Sequence, residues 1–542
     1  MTADLSMFNK VDDSVVDKYA KMSSFEIAAI FKSKLSKNLK GNRVVDAGRG
    51  NPNWFNAMGR LALNRLVELG VQEGKRVMTN DHEEMVGSPE KEGMFARIMS
   101  ALGDSDVDKF LRQSFGWAMA NLEIDDKDAF MYDMIDGAIG DHYPVPDRIL
   151  NNVEPILRAF LQKNHMADGD LANQTDLFPT EGGAMAMCYI FQEMKASELL
   201  NAGDTIAINS PIFTPYLQIP ALKEYQLNIK EVLPKAENDW QMTDEQLDEL
   251  KDPKIKAFFA TNPMNPPARA FNEHVMKKLQ EVVKANPNLI ILTDDVYGTF
   301  APGYTSLYNV LPHNTILVYS FSKLYGVTGH RLGVVAVNKD NVMDRLIQEK
   351  AKNNPEINKD YVDRYSIITG DPVGMKWIDR LCADSRSVGL AHVAGLSTHE
   401  QIQECMLAFT SLIHNGIDPY MEESRVLTRQ RHDMLWNTLG LKDPLKDNNS
   451  AYYCMVSIYD LMSMMHGDDF AEWFKKNYTV LHFEYRLAVE YGGNVMDTMA
   501  FGAPEGYVRV SFANLSAVDY KILGEDMRNL VDEYYAKYQE EK

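Results

Sequence analysis

The chain has 542 residues of which 45% are apolar, enough to bury a large core and to divide into two domains that can interleave. A formal net charge of −21, from 56 basic against 77 acidic residues, disfavours nonspecific binding to nucleic acid or to an anionic membrane. The four cysteines are scattered without metal-ligand spacing and read as reduced thiols, so neither a metal site nor a disulfide framework is expected.

In chain order, Met1 to Lys21 carries acids and lysines with no apolar signal-peptide core. No later run reaches the length of a membrane span, so a cytoplasmic protein is expected. Arg49 sits between Gly48 and Gly50 ahead of Asn51-Pro52-Asn53, where bare backbone can approach a ligand closely; its plainer role is a salt bridge that pins the loop. A long helical stretch runs from about Arg60 to Ile139, and Gly140-Asp141-His142-Tyr143-Pro144-Val145-Pro146 then reads as a passage between domains.

From about Ala172 to Ala336, strand-like runs at 206–211, 256–262, 289–294, 315–320 and 333–337 alternate with amphipathic segments, which predicts a mostly parallel sheet covered by helices. Thr180-Glu181-Gly182-Gly183-Ala184 opens a helical segment whose backbone N–H groups can cradle a phosphate. Phe213 can lie against a flat ring or simply fill core. Asn265, fixed in the turn Asn262-Pro263-Met264-Asn265-Pro266-Pro267-Ala268, can donate to a ligand oxygen or make ordinary turn hydrogen bonds.

The run Leu289–Asp294 ends in Asp294-Asp295-Val296-Tyr297, and Thr315–Tyr319 leads into Ser320-Phe321-Ser322-Lys323. A lysine just past a strand end, with Arg331 eight residues on, reads as a site for pyridoxal 5′-phosphate (PLP) held as a Schiff base. On that reading Asp294 keeps the pyridine nitrogen protonated, Tyr297 reaches the ring oxygen, and Ser320 and Arg331 hold the phosphate. Asp295 is assigned the cap of the following helix. The segment from Tyr420 to Leu439 is read as a long connecting helix.

Taken together with Pro211-Ile212-Phe213, Arg331-Leu332-Gly333 and Tyr507-Val508-Arg509-Val510-Ser511-Phe512, these motifs resemble the fold-type I PLP enzymes of the aspartate aminotransferase superfamily. One motif departs, since the family's usual Asn-Pro-Thr-Gly reads Asn265-Pro266-Pro267-Ala268 here. The resemblance implies Lys323 as the catalytic lysine and Gly182, Gly183, Ala184, Phe213, Asn265, Asp294, Tyr297, Ser320, Ser322 and Arg331 around the cofactor. It also implies Arg509, with Asn265, on the substrate α-carboxylate, and Tyr143 lent to the neighbouring subunit's phosphate. A narrower resemblance, in Ala47-Gly48-Arg49-Gly50-Asn51-Pro52-Asn53, Phe213-Thr214-Pro215-Tyr216, Leu292–Phe300 and Leu396-Ser397-Thr398, is to the aspartate β-decarboxylases.

This narrower resemblance implies conversion of L-aspartate to L-alanine and carbon dioxide, with side transamination to a 2-oxo acid. It also implies a homo-oligomer built of dimers, up to a dodecamer. Arg49 becomes the candidate for the β-carboxylate. The expected architecture is α/β: residues 1–150 and 430–542 contribute a smaller α+β domain, and 151–429 form the large cofactor-binding domain.

Overall fold

The computed structural model describes residues 22, 24–34, 39–41, 43–78, 84–143, 147–167, 169–390, 394–443 and 445–542. After the short β1 (Val45–Asp46), helices run at Ala57–Val77, Met94–Ala101, Asp106–Asn121 and Lys127–Ile139. Seven strands come next: β2 (Thr175–Glu181), β3 (Thr205–Asn209), β4 (Asn228–Val232), β5 (Ile255–Thr261), β6 (Ile290–Asp294), β7 (Thr315–Ser320) and β8 (Leu332–Asn338). They form one sheet in the order β2-β8-β7-β6-β5-β3-β4. The pairs from β4 to β7 are parallel, and β8 runs antiparallel to both of its neighbours.

The central strands are buried on both faces, which is why they read as continuous apolar runs with no alternation. Two strands were not expected. β2 contains Pro179, which reads as a breaker, but it is an edge strand with β8 as its one partner, where a missing N–H is tolerated. The opposite edge, β4, is polar and partly exposed, the usual protection of an unpaired strand.

The four helices between Ala57 and Ile139 pack differently from the expected grouping of residues 1–150 with the C-terminal unit. Leu63, Leu66, Phe115 and Met134 share one core with Leu317, Tyr319 and Val334 of the large sheet. The Thr398–Leu412 helix joins them; thirteen of its fifteen residues are buried, so it needs apolar cover on nearly every side. Among the described residues, the segment around Val45 and Ala47 enters the second core, with Val456, Phe474, Val510 and Leu523, and Ile27 and Phe31 of the Ser24–Ser33 helix pack against Tyr485, Ala488 and Val489 beside it.

That second core lies under β9 (Tyr453–Ser457), β11 (Met496–Asp497) and β12 (Tyr507–Ser511), an antiparallel sheet, while β1 pairs in parallel with β10 (Gly493–Asn494). The connecting helix is Pro419–Leu439, with Pro419 in its first turn, where the missing N–H costs nothing. It touches both cores, through Met421 at one end and Leu435 and Leu439 at the other. All four cysteines are unpaired thiols. Among the described residues no helix is long and apolar enough to cross a membrane.

Candidate active site

The parallel strands deliver their C-terminal ends to one cavity of about 500 Å3, lined among others by Asp294, Ser320, Lys323 and Arg509. Register places Asp294 beside Thr261 on one side and Val318 on the other, so β5, β6 and β7 end together. Ligands gather at such ends because loops diverge there. Lys323, in the turn between β7 and β8, donates from Nζ to the Gly50 carbonyl at 3.3 Å.

Asp294 accepts from the Tyr216 hydroxyl at 3.2 Å and from the Val296 N–H at 3.3 Å. Burial, with the Asp295 charge adding to it, pushes its pKa up from 3.8 to about 6. Such a carboxylate favours a cationic partner. Asp295 does not cap a helix; its side chain is fully buried, accepting from Thr293 at 2.6 Å with His165 at 3.8 Å.

One end of the cavity suits an anion. Gly182 starts the Gly182–Ala196 helix at a φ of +75°, and a Cβ there would lie 2.7 Å from an Arg331 guanidinium nitrogen. Gly183 and Ala184 line the wall in the helix's first turn. Ser320 donates to Ser322 at 2.9 Å, while Arg331 is held by the carbonyls of Thr328 at 3.0 Å and Glu181 at 3.4 Å. A helix N-terminus, two hydroxyls and a guanidinium are the donor set that suits a phosphate.

The other end suits a carboxylate. Arg509 is buried, donates to the Asn265 side-chain oxygen at 3.2 Å and to the Gly48 carbonyl at 2.8 Å, and lies over the rings of Tyr453 and Phe501 at 4.3 and 4.9 Å. Its Nε is buried without a hydrogen-bond partner among the described residues. Asn265 in turn donates to the Tyr297 hydroxyl at 3.4 Å, and Tyr297 donates to the Tyr453 hydroxyl at 3.2 Å. Phe213 is half-buried on the cavity wall.

Arg49 is not brought to this cavity, and Tyr143, expected at a neighbouring subunit's site, lies away from it. The Arg49 side chain is 69% exposed, with Asp46 3.8 Å away; its loop meets the site instead through the carbonyls of Gly48 and Gly50. Tyr143 is 84% exposed and lines a separate cavity with His142 and Arg386, and Pro144, Val145 and Pro146 beside it lie outside the described residues.

Sequence reasoning assigned no role to Tyr216 or Tyr453, or to the group that fixes the lysine turn. Trp54 and Tyr420 both donate to the Leu324 carbonyl, at 3.1 and 2.9 Å, and Arg60 donates to the Gly326 carbonyl at 2.8 Å. These contacts span long stretches of sequence and leave no local pattern, although Tyr216 comes directly after Phe213-Thr214-Pro215 and Tyr453 opens an apolar strand.

Two serine hydroxyls with the Arg331 guanidinium, a primary amine, a buried carboxylate and the buried Arg509 therefore surround one space. Residues 182–525 match the family model of class I and II aminotransferases. The chain belongs to that family. A Pseudomonas bifunctional aspartate aminotransferase and L-aspartate β-decarboxylase is 38% identical over 529 residues, covering 96% of this chain and 97% of its own. A Rhizobium meliloti (strain 1021) aspartate aminotransferase is 26% identical over 33% of this chain and 44% of its own. In fold, the chain resembles a Thermus thermophilus aspartate aminotransferase variant at a TM-score of 0.58 and 16% identity, over 94% of this chain and 97% of that one.

Proposed function

We propose that the protein is a PLP-dependent enzyme that removes the β-carboxylate of L-aspartate to give L-alanine and carbon dioxide, with aspartate transamination to a 2-oxo acid as a side reaction. The observation that carries the reading is the convergence of Lys323, Asp294 and Arg509 on one cavity. The near-full-length likeness to the Pseudomonas protein supports β-decarboxylation over transamination alone.

The residues fit PLP. The raised pKa of Asp294 marks a carboxylate buried without a full counter-charge, which a ring N–H⁺ supplies, and the glycine at 182 leaves room that a side chain would take from Arg331. Gly182, Gly183, Ala184, Ser320, Ser322 and Arg331 would hold the phosphate, Phe213 the ring face, and Tyr297 with Asn265 the ring oxygen. When bound, the cofactor supplies an aldehyde carbon for amines and a protonated ring that accepts an electron pair.

Arg509 and Asn265 bind the α-carboxylate and so orient the Cα–H bond toward Lys323, whose amine takes the Cα proton. Asp294 keeps the ring nitrogen protonated while that pair is delocalised. Arg49 meets the β-carboxylate by swinging its exposed side chain inward, a movement that its flanking glycines permit. It has to bind without holding on, because a tightly stabilised carboxylate raises the barrier to losing carbon dioxide. The division between decarboxylation and transamination then depends on whether carbon dioxide leaves before water enters.

The exposed Tyr143 is assigned to the phosphate site of a second subunit, in a cytoplasmic homo-oligomer built of dimers. The test is to incubate the PLP-loaded protein with aspartate and no oxo acid. Equal amounts of alanine and carbon dioxide are expected; transamination only, appearing once 2-oxoglutarate is added, would overturn the reading.

A further inference from the structure

The hydrogen bonds at the carboxylate end have a fixed direction. Arg509 can only donate, so its contact at 3.2 Å identifies the Asn265 atom it meets as the oxygen. The Asn265 amide nitrogen must then face the Tyr297 hydroxyl, 3.4 Å away, and Tyr297 accepts from it. Tyr297 spends its own hydrogen on the Tyr453 hydroxyl at 3.2 Å. Tyr453 is left as the end of the series, with its proton directed elsewhere.

That proton has one prominent place to go. Tyr453 is 3% exposed and lines the same cavity as Lys323. Its ring lies under the Arg509 guanidinium at 4.3 Å and its hydroxyl meets that of Tyr297 at 3.2 Å, so it touches residues of both ends of the site. A Cβ on Gly50 would run into this hydroxyl and stand 3.5 Å from Lys323 Nζ, so the two groups flank one small region of space. Only a glycine at 50 leaves both in place. Burial also holds the Tyr297 phenol well above its ordinary pKa, which preserves it as a donor to Tyr453.

We propose that Tyr453 is a second proton-transfer residue, the group that gives Cβ the proton which replaces the departing carboxylate. The inference rests on the decarboxylase reading. The bond from Cβ to the β-carboxylate breaks, carbon dioxide leaves, and the electron pair passes into the conjugated system that substrate and cofactor share. The pair then returns to Cβ to form a C–H bond with the Tyr453 hydroxyl proton, and the phenolate takes a proton back from water. Lys323 handles the proton at Cα. Two donors at two carbons let each be protonated without the lysine having to travel between them.

The last step can be followed in reverse, without decarboxylation. The PLP-loaded protein is incubated with L-alanine in D2O, and deuterium is measured by NMR separately at Cα and in the methyl group. Wild type should deuterate both. In Tyr453→Phe the ratio of methyl to Cα deuteration should fall by about a hundredfold, the lower end of a general-acid contribution. A second readout is PLP binding to the cofactor-free chain, monitored by fluorescence quenching. It should stay within about threefold of wild type, because the variant keeps the aromatic ring and its packing.

A methyl-to-Cα ratio unchanged in Tyr453→Phe, or a wild type that never deuterates the methyl group, would overturn the proposal. Loss of PLP affinity in the variant would overturn it too, reducing Tyr453 to a support of the cofactor site. Tyr453-dependent methyl exchange without carbon dioxide from aspartate would leave the proposal standing and remove the decarboxylase reading instead.

Discussion

Arg509 donates to the side-chain oxygen of Asn265 at 3.2 Å, across 244 residues of sequence, and this contact ties the second sheet to the turn after β5. The same guanidinium reaches the Gly48 carbonyl, so three separate segments meet on one charge. A substrate carboxylate arriving there would find a cation already oriented and an Nε without a hydrogen-bond partner among the described residues.

Arg509→Ala should therefore lower kcat/KM for aspartate by the equivalent of about 2–5 kcal/mol, the usual cost of truncating one partner of a buried charge pair. Arg509→Lys should not restore it, because an ammonium lacks the planar fork. Steady-state kinetics of both variants on aspartate decides the point, and near-normal kcat/KM in the alanine variant would assign the carboxylate to another cation.

Asp294 gives a pH prediction for the cofactor-free chain. Its folded pKa of about 6 lies above the ordinary 3.8, so the folded state holds this proton more tightly than the unfolded state does. The stabilisation is fully present below the ordinary value and is lost as pH rises through about 6, amounting to about 3 kcal/mol at most. Asp294→Asn removes the titration. Thermal unfolding of the cofactor-free proteins should show the variant gaining on wild type between about pH 4 and pH 6.5, the window that runs from the ordinary pKa to the raised one, with no further gain above it, while its PLP loses the ring-nitrogen partner. A stability difference that does not change with pH would mean that Asp294 is not buried unpaired.

The central strands and most of the site were legible because they leave local patterns. β5, β6 and β7 are apolar runs ended by polar residues, and the residues at those ends, Asp294, Ser320 and Lys323, line the cavity. What stayed hidden depends on tertiary context. Pro179 lies in an edge strand that only the full sheet reveals, and Asp295 faces the buried His165, far earlier in the chain. The helices from Ala57 to Ile139 show their amphipathic faces in sequence, but not which of the two cores those faces choose.

Gly182 carries a third prediction. At φ +75° an alanine is strained, and its methyl would stand 2.7 Å from the Arg331 guanidinium. Gly182→Ala should weaken PLP binding by at least about tenfold and cost about 1–3 kcal/mol of stability through backbone strain. Absorbance titration of the cofactor-free chain with PLP, beside thermal unfolding, measures both. Normal affinity would place the phosphate away from this helix start.

Arg49 is the sharpest test of how the site recognises its second carboxylate. Its neighbours already belong to the site, since Gly48 accepts from Arg509 and Gly50 accepts from Lys323, yet its own side chain points to solvent near Asp46. At 3.8 Å and 69% exposure that ion pair is weak and easily exchanged for a substrate carboxylate. Arg49→Ala should leave the absorbance of bound PLP intact, raise KM for aspartate by up to about fivefold, the worth of one exposed charge contact of about 1 kcal/mol, and change the ratio of carbon dioxide to transamination product. Asp46→Asn separates this from a purely structural role. If Arg49 only pins the loop through Asp46, both variants should behave alike; if it binds substrate, Asp46→Asn frees the guanidinium and leaves KM unchanged or lower. Unchanged KM and unchanged product ratio in a folded, PLP-loaded Arg49→Ala would remove Arg49 from the site.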